Sequence, residues 1–265
     1  MKLKGSILKL LTKYKFPIEY TLPIGKNLVS LNKFIGSKIE INFNGNIFCI
    51  NCGKETKKSF NQGFCYPCFR KSPLSSECII RPELCKAHLG LGRDIEWEKK
   101  YHLKDHIVYF AVSSSLKVGV TQINQIPTRW IDQGATYALP IARTPNRYLA
   151  GKIEVFLKNF YSDKTSWQKM LKNDFVNSNI LEEKKKIYNN YPNELSNYKI
   201  DDKIIYNFEY PVLEYPKKIS SISLDKTNNI SQILDGIKGQ YLIFRNNTVF
   251  NVRKHQGYEI DFSNI

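Results

Sequence analysis

The run Cys49-x2-Cys52-x12-Cys65-x2-Cys68 constrains this chain more than any other feature. A two-residue spacer lets one tight turn aim two thiolates at a single tetrahedral ion, and two such pairs close a four-thiolate sphere. Gly53 after the first pair and Gly63 before the second supply the backbone freedom these turns need, while Lys54, Lys57, Lys58 and Arg70 offset thiolate charge. Zn²⁺ is the expected ion, with an iron–sulfur cluster as its rival. Four thiolates leave no open position for substrate, so the site is expected to hold up the fold and perform no chemistry.

A second, looser set follows. Cys78, Cys85 and His88 lie just downstream, and His106 or His102 is expected to complete a mixed site of two cysteines and two histidines for a second Zn²⁺. His106 is preferred because it opens the apolar run HIVYF, a rigid element, whereas His102 sits in a polar stretch. The competing reading is four ordinary buried residues with no metal.

A chain of 265 residues with 42% hydrophobic and 13% aromatic content is globular, with material for one core or a few small modules. Forty Lys plus Arg against 24 Asp plus Glu give a net charge of +16, which favours polyanions through counterion release and makes nucleic acid, DNA or RNA, the expected partner. A merely solubilising Lys-rich surface is the alternative, since the chain is rich in Lys, Asn and Ile throughout. Lys9 and Lys13 interrupt the N-terminal apolar run before a signal segment or membrane span forms, so the expected location is the cytoplasm, with no membrane partner. In that reducing compartment cysteines serve metals rather than disulfides.

Five segments are expected. Residues 1–48 alternate short apolar runs with Gly, Pro and Asn and read as a β segment; 49–105 form a loop-like, zinc-binding module. Residues 106–175 give strand, turn, strand, helix, strand, helix; 176–200 read as a helix and linker; 201–265 form a β-rich module with a hairpin around Arg245, Asn246 and Asn247. The fold class is therefore α+β, with N- and C-terminal β segments that could pair.

Within 106–160, Tyr109 stands on the first strand, Lys117-Val118-Gly119-Val120-Thr121 on the second, Arg129 on the first helix and Glu154 on the next. This order resembles the GIY-YIG nuclease superfamily, and looks closest to members whose second motif reads K-I-G-x-T. By that resemblance Tyr109 assists the nucleophile, Arg129 stabilises the phosphate and Glu154 binds a divalent ion, Mg²⁺ or Mn²⁺. Lys117 replaces the second motif tyrosine, and an ordinary lysine, with a pKa of about 10.4, is a poor base unless it is buried. Taken singly, Tyr109 reads as core, Arg129 as a surface cation and Glu154 as half of an ion pair. The chain as a whole, through CINCGKETKKSFNQGFCYPCF, PELCKAHLG, PTRWIDQGA and GIKGQYLIF, also resembles an uncharacterised prokaryotic domain-of-unknown-function family, which implies no activity.

Arg143, Arg147, Lys152 and Trp167 near the core, and Arg253 and Lys254 near the C-terminus, mix cations with an aromatic in the way backbone contact and base stacking require. The expected function is a zinc-stabilised nucleic-acid-binding protein with a GIY-YIG-like core and metal-dependent endonuclease chemistry in prospect. A non-catalytic adaptor for RNA, a ribosome or another protein, with zinc used for folding alone, is the alternative.

Overall fold

The computed structural model describes residues 1–264, which gather into two compact units. One unit comprises Met1–Arg70, Ile131–Gly134 and the chain from Phe208 onward; the other comprises Lys71–Trp130 and Ala135–Asn207. The fold is α+β. The segment 49–105, expected as one zinc-binding module, is divided between the units at Arg70 and Lys71.

The first unit is built on a seven-stranded sheet. With strands numbered along the chain, its order is β1 (Lys2–Ser6), β14 (Tyr258–Asn264), β5 (Lys38–Ile47), β11 (Asn229–Lys238), β12 (Tyr241–Phe244), β13 (Thr248–Asn251) and β10 (Ser220–Ile222). Strands from both ends of the chain thus share one sheet. In β5, Ile39 and Ile41 alternate with polar residues, and Ile41 pairs with Phe262 of β14 on one side and Ile230 of β11 on the other. All three are buried, forming an apolar row across the sheet. The expected hairpin is the antiparallel pair β12–β13, turned at Arg245–Asn247, with Asn247 at φ 62°. A smaller sheet joins β2 (Leu11–Lys13), β3 (Glu19–Ile24) and β4 (Asn27–Ser30). Helix α1 (Tyr66–Lys71) follows the second cysteine pair's first member.

The second unit holds a four-stranded antiparallel sheet in the order β7 (Leu116–Gln122), β6 (His106–Val112), β8 (Tyr137–Thr144), β9 (Tyr206–Asn207). Every residue of β6 is buried, which is why its sequence runs apolar without alternation. Val108, Phe110, Val118, Val120, Leu139 and Ile141 face the helices α4 (Arg147–Leu157) and α6 (Ile180–Asn189), which contribute Ala150, Ile153, Leu157, Ile180 and Ile187. On the opposite face lie Tyr109 and, across the β6–β7 pairing, Gly119. Short helices α3 (Thr128–Asp132) and α5 (Trp167–Leu171) lie between these elements in sequence.

Besides α1, the segment expected to be loop-like holds a second α-helix. Ile95–His102 forms α2, capped by Asp94, whose carboxylate accepts from the Trp97 amide at 3.0 Å. Glu96 in its first turn and Lys99 and Lys100 in its last complement the helix dipole. Phe160 lies beyond the end of α4 and is exposed. Among the described residues no helix is long and apolar enough to cross a membrane.

Candidate metal centres and nucleic-acid interface

Cys49 follows β5, Cys65 directly precedes α1 and Cys68 lies within it, and their thiols meet that of Cys52 with all four sulfurs within 4.8 Å of one another. The Cys52 and Cys65 sulfurs are 3.8 Å apart. Tetrahedral coordination at a Zn–S length near 2.3 Å requires an S···S edge of about 3.8 Å. The positive φ of Gly53 (71°) and Gly63 (132°) turns the chain beside each pair. Burial alone would raise the Cys49 thiol, but the backbone amides of Cys65, Cys52 and Asn51 outweigh it and bring the pKa down to about 6. The Asn51 side-chain amide donates to the Cys68 sulfur at 3.4 Å. This donor set is compatible with a structural zinc site.

The second group differs from expectation in half its members. Cys78 and Cys85 are brought together with Glu98 and His102, the ligand atoms again all within 4.8 Å and all four residues buried. Glu98 and His102 stand four residues apart on α2 and therefore share one helix face. His88 is outside the group, because the short turn Ala87–Leu89 leaves it exposed and stacked on Tyr148 at 4.4 Å between ring centroids. His106 is outside it too: its Nδ1–H donates to the Lys104 carbonyl at 2.7 Å, and burial lowers its pKa to about 4, as befits a neutral core imidazole. The signal that would have found the right pair is Glu-x3-His behind an Asp cap; its eight-residue helix, hidden among Pro- and Gly-bearing loops, obscured it.

In the second unit Tyr109 is buried, edge-on to Trp130 at 5.6 Å, with Gly119 beneath its ring. A Cβ at Gly119 would stand 2.6 Å from the phenol oxygen, so the glycine of the Lys-Val-Gly motif is there to admit the tyrosine. Lys117 is buried and donates to the Thr165 hydroxyl at 2.7 Å. Burial, then the Arg129 charge, lowers its pKa to about 7 against an opposing pull from Asp163. Glu154 is buried as well, with its carboxyl pKa raised by desolvation although the Lys158 ammonium lies 3.3 Å away; Lys158 also bridges to Asp163 at 3.2 Å. Arg129 is half-buried. Glu154 joins no group of three or more ligating side chains among the described residues, and its neighbour is a cation, so this arrangement does not fit Mg²⁺ or Mn²⁺.

The cations divide by role. Arg147 faces inward, its Nε–H and Nη2–H donating at 2.8 Å to the Cys78 and Ile79 carbonyls, so it offers nothing to an external phosphate. Arg143 is exposed and paired with Asp105. Lys152 is exposed over the Tyr148 ring, Trp167 is half-buried, and in the other unit Lys254 is exposed and Arg253 half-buried. Two hollows of about 580 and 520 Å³ adjoin at Asp105 and Pro145; their walls carry Lys100, Lys104, Arg143 and Lys199 with Tyr101 and Tyr198. Sequence reading did not select Lys100, Lys104 or Lys199, which the fold brings to the walls of these hollows.

The sequence profile of a family described as "Protein of unknown function (DUF2797)" matches residues 36–260. The chain belongs to that family. No curated protein and no solved structure matches it. The matched span of this DUF2797 member contains both cysteine groups, the whole four-stranded sheet and both hollows, and leaves β1 to β4 outside.

Proposed function

We propose that this DUF2797 protein binds nucleic acid, with its second unit a GIY-YIG-like core used for recognition and the four-cysteine site holding zinc for folding. The observation that carries this reading is the trough beside β8, where four cations and two tyrosines meet two aspartates, Asp105 and Asp201. Cations track a phosphate backbone while aromatic faces stack on bases, which suits a single strand more than a duplex groove. The strand order β7-β6-β8, followed by α4, supports the GIY-YIG likeness. Recognition ranks above cleavage because Tyr109, Lys117 and Glu154 are all buried, out of reach of a scissile phosphate.

One observation favours hydrolysis as a second reading: burial lowers the Lys117 pKa to about 7, so the amine would accept a proton near neutrality if the segment around Thr165 opened to admit substrate. Labelled single-stranded and duplex RNA and DNA, incubated with wild type, with Lys100→Glu/Lys104→Glu and with Lys117→Arg, separate the possibilities. Retarded complexes weakened tenfold or more by the double charge reversal, with the probe intact, support recognition. Cleavage that rises through pH 7 and vanishes in Lys117→Arg supports hydrolysis. Undetectable binding at low salt refutes both and leaves a protein adaptor.

A further inference from the structure

We infer that Cys78, Cys85, Glu98 and His102 hold a second structural zinc ion, in a mixed thiolate, imidazole and carboxylate site that fixes α2 and the bed of α4. The Cys85 sulfur and the His102 Nδ1 are 3.5 Å apart, and so are Nδ1 and the Glu98 Oε2. A Zn–S bond near 2.3 Å and a Zn–N bond near 2.0–2.1 Å give a tetrahedral S···N edge of about 3.5 Å. The mixed set therefore has the spacing of a coordination sphere.

Its surroundings are those of a built site. The Glu98 Oε1 accepts from the Arg93 amide at 3.0 Å, which orients the carboxylate and leaves Oε2 turned to His102. The Ser76 hydroxyl lies 3.1 Å from the Cys78 sulfur and is itself buried. Two thiolates and a carboxylate bring three negative charges against the two positive charges of Zn²⁺, and the inward-facing Arg147 guanidinium supplies the missing one while clamping the carbonyls of Cys78 and Ile79. With all four ligands buried, no position opens to solvent, so the role is structural.

The loop between the two cysteines is also where α4 rests. A Cβ on Gly151 of α4 would stand 2.1 Å from the Glu83 amide, so helix and loop meet backbone to backbone. A metal that fixes residues 78–85 therefore fixes the seat of the helix that carries Arg147 and Glu154.

The test is metal content of the full chain purified with Zn²⁺, read by elemental analysis and native mass spectrometry. Two ions per wild-type chain and one in His102→Ala are expected. His102→Cys, which restores a ligand, should keep two, and after Co²⁺ exchange should show stronger thiolate-to-metal absorption than wild type. One zinc per wild-type chain overturns the assignment; so do two ions retained in His102→Ala, or a cobalt spectrum unchanged by His102→Cys.

Discussion

Lys117 shows how much one buried residue decides. Its ammonium lies on the β6–β7 pair with Arg129 and Asp163 as its charged neighbours, and desolvation lowers its pKa from the ordinary range to about 7. Below pH 7 it is charged in folded and unfolded chains alike, and the full cost of burial is present. Between pH 7 and the unfolded pKa of about 10.4 the folded protein keeps a neutral amine while the unfolded chain binds a proton, so stability rises with pH. Lys117→Met should therefore gain stability over wild type at pH 6 by on the order of a few kcal/mol, and that gain should shrink by pH 9.5 in urea titrations. A difference independent of pH would show that the amine is not desolvated. That a lysine stands at position 117 is visible in the sequence. Its burial is not, because it depends on the segment around Ser162 and Thr165 closing over β7 through the Val118 amide and the Lys117 amine.

Helix α2 and its cap concentrate three roles in a short stretch: Glu98 and His102 face Cys78 and Cys85, Lys100 and Tyr101 face the hollow, and Asp94 starts the helix. Losing the cap in Asp94→Ala should cost about 1 kcal/mol of stability. Because the two ligands ride on that helix, the variant should also release its second zinc to a chelator faster than wild type, with the zinc of the four-cysteine site unaffected. Equal release rates would separate the cap from the metal. The cysteine pairs were legible because a two-residue spacer is a local geometric constraint. Glu98 was not, and His102 was named only as the alternative to His106, since a helix this short carries little periodic signal and Pro82, Gly90 and Gly92 argued for loop. The strands of the core were legible for the opposite reason: β6, β7 and β8 are apolar runs bounded by Ser, Pro and Gly.

For the whole chain, the α+β class followed from alternating strand and helix patterns, and pairing of the N- and C-terminal β segments was anticipated, whereas the strand order and register of the sheet joining β1, β14, β5 and β11 were not. Pairing of Ile41 with Phe262 and Ile230 spans most of the sequence, and register across such distances is set by burial of a common face, which no local pattern records. The net charge of +16 was plain from composition, but it does not say where phosphate would lie. The proposed place is the trough lined by Lys100, Lys104, Arg143 and Lys199. The most direct measurement of the central claim is the affinity of the zinc-loaded protein for a labelled single-stranded RNA across a series of salt concentrations. Each contacted phosphate contributes a slope of about −0.7 in log affinity against log salt, so the slope should become shallower by about 1.4 when Lys100 and Lys104 are lost in Lys100→Glu/Lys104→Glu. A flat dependence, or one identical in the variant, would contradict nucleic-acid binding through this trough.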